Sequence, residues 1–132
     1  MTVLVGYVPT PLGEATLRAG VEEARRRAES LLVVNMSRDD VLVDAHRAGS
    51  DDLERVERDV AELGVDVEVA RIEEGGDPAD ALVRTAHERA ASVIVIGLRH
   101  RSPVGKLIMG STAQRILLDA RCPVLAVKED AG

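Results

Sequence analysis

Between positions 97 and 109 the chain carries Arg99, His100, Arg101 and Lys106 and no acidic residue. The formal charge of this stretch is +3 within a chain of −6. It runs into Gly110-Ser111-Thr112, where a helix is predicted to begin. A helix start presents backbone N–H groups without intrahelical partners and about half a positive charge. Glycine permits close backbone approach there, and two hydroxyls add hydrogen bonds. Cationic side chains, open amides and hydroxyls together describe an anion site, and phosphate is the anion such sites commonly take. The competing reading is a solvated basic loop in which Ser111 serves only as a cap.

Other residues with chemical potential fit structural roles better. Gly105-Lys106 is followed by Leu107, so the Gly-Lys-Ser/Thr ending of a phosphate-loop NTPase is missing. His46 falls in a polar stretch and His87 on a helix, both read as solvated. Cys122 precedes Pro123 at a strand entrance and reads as a small buried hydrophobe. Arg25-Arg26-Arg27 reads as a solvated helix face offset by Glu22, Glu23 and Glu29.

Two hydrophobic periods alternate along the chain and define the elements that must position the basic loop. Val3–Tyr7, Leu31–Val34, Val93–Ile96 and Val124–Val127 are apolar runs of strand length. Val65–Val69 alternates strictly, as expected of an edge strand with one solvated face. Between the strands lie helical stripes: Leu17, Gly20, Val21, Ala24 and Ala28; Leu53, Val56, Val60 and Leu63; Ala79, Leu82, Val83 and Ala86; Ala113, Ile116, Leu117 and Ala120. Ser50 is the expected N-cap of the second helix, after a polar connection over 37–49, and Gly64 its left-handed C-cap. Asp77-Pro78 is a cap followed by the first helical position of the third. Near-continuous apolar strands joined by helices predict an α/β fold: one doubly wound domain over 1–132, with a parallel sheet and helices on both faces. Ligands of such sheets bind beyond the carboxyl ends of the strands, where the strand order reverses. The basic loop leaves the most apolar strand at that end.

Composition narrows the function classes. The chain has 132 residues, 45% of them hydrophobic and 30% charged. It contains one Tyr, no Phe and no Trp, so it lacks the stacking platforms of single-strand nucleic-acid binders. The net charge of −6 opposes duplex phosphates, and no nucleic-acid partner is expected. A single cysteine excludes an internal disulfide and a zinc finger. No apolar run approaches the ~18–20 residues of a membrane span, and without a basic leader the expected compartment is the cytoplasm.

The stretch Gly97-Leu98-Arg99-His100, nine further residues and then Gly110-Ser111 resembles the nucleotide-binding signature of the universal stress protein family. That signature is Gly, two residues, Gly, nine residues, Gly, then Ser or Thr. Gly76-Asp77-Pro78, Ile94–Gly97, Gly110–Ile116 and Cys122–Val127 resemble segments of that family in the same order. The resemblance implies a five-stranded sheet of order 3-2-1-4-5 and a stress-response or regulatory role. It implies an adenine nucleotide, such as ATP or AMP, with the base beside Gly6, Tyr7, Val8, Met36, Ile96 and Gly97. It further implies phosphates at Arg99, His100, Gly110, Ser111, Thr112 and Ala113. It also implies a homodimer paired antiparallel through the last strand, at Val124, Leu125, Ala126 and Val127.

Two positions depart from the family pattern. His100 stands where the second signature glycine is expected, and its side chain can either block the backbone approach or donate a hydrogen bond to a phosphate. Val8 stands where the family carries an Asp after the first strand. That removes a carboxylate near the nucleotide and weakens the case for Mg²⁺, which wants oxygen ligands. The alternative reading is a nucleotide-free homodimeric scaffold or chaperone-like stress protein. An enzyme, at most a slow ATPase, is disfavoured: the 97–109 loop offers no carboxylate to orient water, and Val8 replaces the other candidate.

Overall fold

A computed structural model describes residues 1–36, 43–72, 76–98 and 110–128, and of residues 43–52 the backbone alone. The strands are β1 (Thr2–Tyr7), β2 (Ser30–Asn35), β3 (Val67–Arg71), β4 (Ala91–Leu98) and β5 (Val124–Lys128). Between them run α1 (Pro11–Arg27), α2 (Val43–Glu62), α3 (Pro78–Glu88) and α4 (Ser111–Asp119). The five strands form one sheet of order β3-β2-β1-β4-β5, and every neighbouring pair is parallel. This is the doubly wound α/β fold expected, with β3 at one edge and β5 at the other. The order reverses between β1 and β4, so their carboxyl ends stand side by side.

The core divides at the sheet because successive strand side chains point to opposite faces. On one side Val3, Val5 and Tyr7 of β1 pack with Leu17, Val21 and Ala24 of α1 and with Leu53, Val56 and Val60 of α2. On the other, Leu4, Ile94, Ile96 and Leu98 pack with Ala79, Leu82 and Ala86 of α3 and with Ile116 of α4.

Local signals account for most helix ends. The Thr10 hydroxyl accepts from the Gly13 N–H at 3.0 Å, and Pro11 occupies the first turn of α1. Asp77 caps α3 through its Oδ1, which accepts from the Ala79 N–H at 2.8 Å. Gly64, at φ +83, turns the chain after α2 as expected of a C-cap.

Several local expectations are corrected. Helix α2 begins at Val43, and Ser50 lies inside it rather than at its cap. Positions 43–48 contain no proline, and one glycine inside a helix costs only about 1 kcal/mol against Ala. Leu63 falls just past the end of α2, where the chain turns, and is 53% exposed rather than core. Leu117 of α4 is also exposed, because this short helix buries Ile116 alone. Ala28 is a left-handed C-cap at φ 56 rather than part of the α1 stripe. Strand β3 spans 67–71, two residues beyond its expected start, because Val65 is buried among the α1 and α2 side chains before pairing begins.

Tyr7 ties the first strand to both helices on its face. Its hydroxyl donates to Glu14 Oε1 at 2.7 Å, and Arg55 Nη2 of α2 donates to the same oxygen at 2.7 Å. Burial pushes the Glu14 carboxyl up, but the Tyr7 and Arg55 hydrogen bonds and the charges of Arg55 and Arg18 outweigh it and leave it below its usual range. A carboxylate lowered on folding contributes its stability in full above its unfolded pKa, about 4.3, and loses it as pH falls through the folded value. Tyr7→Phe should therefore cost about 0.5–1.5 kcal/mol at neutral pH, and less below about pH 4. Thermal melts across that range would check this; an equal loss at all pH values would contradict it.

Candidate functional site

The carboxyl ends of β1 and β4 and the starts of α1, α3 and α4 enclose a cleft of about 310 Å³. Gly6 and Val8 from the end of β1, Met36 after β2, and Ile96 and Gly97 of β4 form part of its wall. Leu12, Gly13 and Thr16 come from α1 and Pro78 from α3. Gly110, Thr112, Ala113 and Ile116 come from the start of α4. The lining is largely aliphatic, and its described side chains include two hydroxyls, Thr16 and Thr112, and no charge.

Three of the glycines have different reasons to be there. A Cβ on Gly13 would lie 1.6 Å from the Val8 carbonyl oxygen, so glycine lets the first turn of α1 press on the chain leaving β1. A Cβ on Gly97 would meet Thr16 Oγ1 at 2.6 Å and Leu12 Cγ at 2.8 Å, so this signature glycine admits α1 over β4. A Cβ on Gly110 would meet nothing within 4 Å among the described residues. The described residues make no steric demand for glycine at that third position.

Helix α4 differs from α1 and α3 at its start. Gly110 occupies the N-cap position with φ −63 and ψ 154, and among the described residues no side chain caps the helix. The Gln114 N–H donates to the Gly110 carbonyl at 3.0 Å, the first bond of the helix proper. Amides of the first turn thus stand beside the cleft without a side-chain acceptor from the cap. Ser111 is the first helical residue, not the cap, and is exposed.

Of the positions expected to meet a ligand, Gly6, Val8, Met36, Ile96, Gly97, Gly110, Thr112 and Ala113 line the cleft together. Tyr7 does not: its side chain is 1% exposed and points to the α1 face, while its carbonyl accepts from the Met36 N–H at 2.8 Å. The alternation of β1 accounts for this, since Gly6 and Tyr7 must face opposite sides of the sheet. Arg99 and His100 lie outside the described residues, as do Arg101 and Lys106. Leu12, Gly13, Thr16, Pro78 and Ile116 were not anticipated in the lining. Asp77-Pro78 signalled a helix start, and such starts gather at this end of the sheet. Nothing in the sequence singled out the first turn of α1.

Cys122 is half-buried and packs beside the α3 and α4 core, as a small hydrophobe should. Burial pushes its thiol pKa up. Less thiolate at a given pH means slower reaction. Alkylation by iodoacetamide near neutral pH should run slower than that of a free cysteine; an equal or faster rate would contradict the burial.

A family model described as the universal stress protein family matches residues 1–128. The chain belongs to the universal stress protein family. It is 44% identical over 126 residues to the universal stress protein of Mycolicibacterium smegmatis, covering 96% of each chain. Among solved structures it resembles a universal stress protein of Archaeoglobus fulgidus with a TM-score of 0.81 and 32% identity, over 96% of this chain and 97% of that one. It also resembles the universal stress protein from Archaeoglobus fulgidus solved in complex with dAMP, with a TM-score of 0.74 and 26% identity over 96% of each chain. Among the described residues, no helix is long and apolar enough to cross a membrane.

Proposed function

We propose that this universal stress protein binds an adenine nucleotide in the cleft between the ends of β1 and β4 and acts through it in a regulatory, stress-responsive role. The observation that carries the reading is the unequal chemistry of the two ends of the cleft. The aliphatic wall of Val8, Met36 and Ile96 suits a flat purine held by dispersion and exclusion of water. The first turn of α4, which no described side chain caps and whose Gly110 has no described neighbour where a Cβ would stand, suits phosphate oxygens. The dAMP complex of the Archaeoglobus relative supports the same ligand class. Val8 supplies no carboxylate, so on this reading binding does not require Mg²⁺ and turnover of ATP is at most slow. Calorimetry of the full chain with ATP, ADP and AMP, with and without Mg²⁺, tests this. Binding of at least one nucleotide in metal-free buffer is expected. No heat with any of the three at millimolar ligand, and none co-purified, would move the protein to the nucleotide-free scaffold reading.

A homodimer through β5 is part of the same proposal. The edge strand Val124-Leu125-Ala126-Val127 carries no charge before Lys128, and Leu125 is 37% exposed. An apolar edge of this kind leaves a row of backbone groups able to pair with a second copy. Ala126→Pro should shift light scattering at tens of micromolar from dimer toward monomer. A wild-type chain that runs as a monomer there would refute the dimer.

A further inference from the structure

Helix α4 brings its open amides to the cleft, but little of the helix itself is anchored in the core. It has nine residues, buries only Ile116, and leans more on α3 than on the sheet. The position of its first turn therefore depends on what joins it to α3.

Beside the packing of Ile116 and Ala113, Arg115 adds an ion-pair tie to that joint. It lies one helical turn beyond Ser111, and its Nη1 donates to Asp77 Oδ2 at 2.8 Å. Its Nε is 3.3 Å from Asp80 Oδ1 and 3.8 Å from Asp119 Oδ2. Asp77 uses its two oxygens for different tasks: Oδ1 caps α3, and Oδ2 holds Arg115. The next residue, Pro78, lines the cleft. One guanidinium thus fastens α4 to the cap of α3 and offsets the carboxylates of Asp77, Asp80 and Asp119.

We infer that Arg115 is a positioning residue for the phosphates of the bound nucleotide, an inference that rests on the nucleotide reading above. It holds the α4 amides in place and screens Asp77 from the ligand, so its contribution grows with the number of phosphates. Without it, the Asp77 carboxylate, one residue before the cleft-lining Pro78, keeps among the described residues only its bond from the Ala79 N–H, and each added phosphate charge increases its repulsion of the ligand.

The test uses the full chain in metal-free buffer, titrated with AMP and ATP. Arg115 is 53% exposed on its side chain, so Arg115→Gln should fold, and its thermal midpoint confirms that. Arg115→Gln should weaken ATP about ten-fold and AMP no more than about three-fold. Arg115→Lys, which keeps the charge but not the forked geometry, should fall between Arg115→Gln and wild type. Adding Asp77→Asn to Arg115→Gln should recover part of the ATP affinity, because Asn still caps α3 and the uncancelled charge is gone, while the ion-pair tie between α3 and α4 stays broken. Equal loss of ATP and AMP, or no recovery in the double variant, would overturn the inference while leaving nucleotide binding intact. A wild-type chain that binds neither nucleotide would overturn the parent reading and this inference with it.

Discussion

Gly13→Ala should destabilise the protein by about 3 kcal/mol or more, although alanine is the better helix former. Propensity alone favours alanine by about 1 kcal/mol inside a helix. Here the added Cβ would stand 1.6 Å from the Val8 oxygen and 2.7 Å from the Val8 carbonyl carbon. Both are backbone atoms, so no side chain can swing aside. Either the start of α1 lifts off the chain leaving β1, or the segment 8–10 moves. Either movement strains the Thr10 cap and the Thr10 N–H bond to the Val8 carbonyl at 2.8 Å. Overpacking of this kind costs typically 1–3 kcal/mol and more where backbone must give. For a domain of this size that corresponds to a fall of about 10 °C or more in Tm. Thermal unfolding followed by circular dichroism measures it. A variant that melts at or above the wild type would show that the contact relaxes freely and that the glycine is not needed for packing.

At Gly110 the opposite separation of effects is expected: Gly110→Asp should keep the melting temperature or raise it, and lose nucleotide. The backbone at this N-cap, φ −63 and ψ 154, accepts any L residue, and a Cβ meets nothing within 4 Å among the described residues. Aspartate is among the best N-cap residues, exceeding glycine by a few tenths of a kcal/mol. Its carboxylate would accept from the same first-turn amides that the proposed phosphate uses, and would repel the phosphate as well. Loss of hydrogen bonds to a charged group costs about 1.5–3 kcal/mol, which is roughly ten- to more than a hundred-fold in affinity. Calorimetry with ATP beside a thermal melt reads both sides. Unchanged affinity in a stably folded variant would place the phosphates elsewhere.

What the sequence determined by itself was whatever depends on neighbours along the chain. Apolar runs such as Val93–Ile96 and Leu31–Val34 need burial on both faces, and that requirement imposes a parallel sheet between helical layers. Asp77-Pro78 and Gly64 mark helix ends through backbone chemistry that acts over a few residues. The glycine–serine start of α4 was legible for the same reason, while most of the anticipated cleft residues came from the resemblance to the universal stress protein family.

Tertiary structure decided what depends on which surfaces meet. Tyr7 looked like a wall of the site, but strand parity and the Glu14 carboxylate place it under α1. Leu12, Gly13 and Thr16 enter the cleft only because α1 crosses over β4 at Gly97, a contact between residues more than eighty positions apart. The same holds for Arg115, which reads as one more polar residue of a short helix until α3 and α4 pack and bring Asp77 to it across 38 positions. Leu117 fits a helical stripe by spacing, yet a helix that leans on a neighbour rather than on the sheet buries one narrow face, and Ile116 alone fills it. Periodicity specifies that a face exists; the packing partner fixes its width and the residues it gathers, because burial is a property of two surfaces in contact.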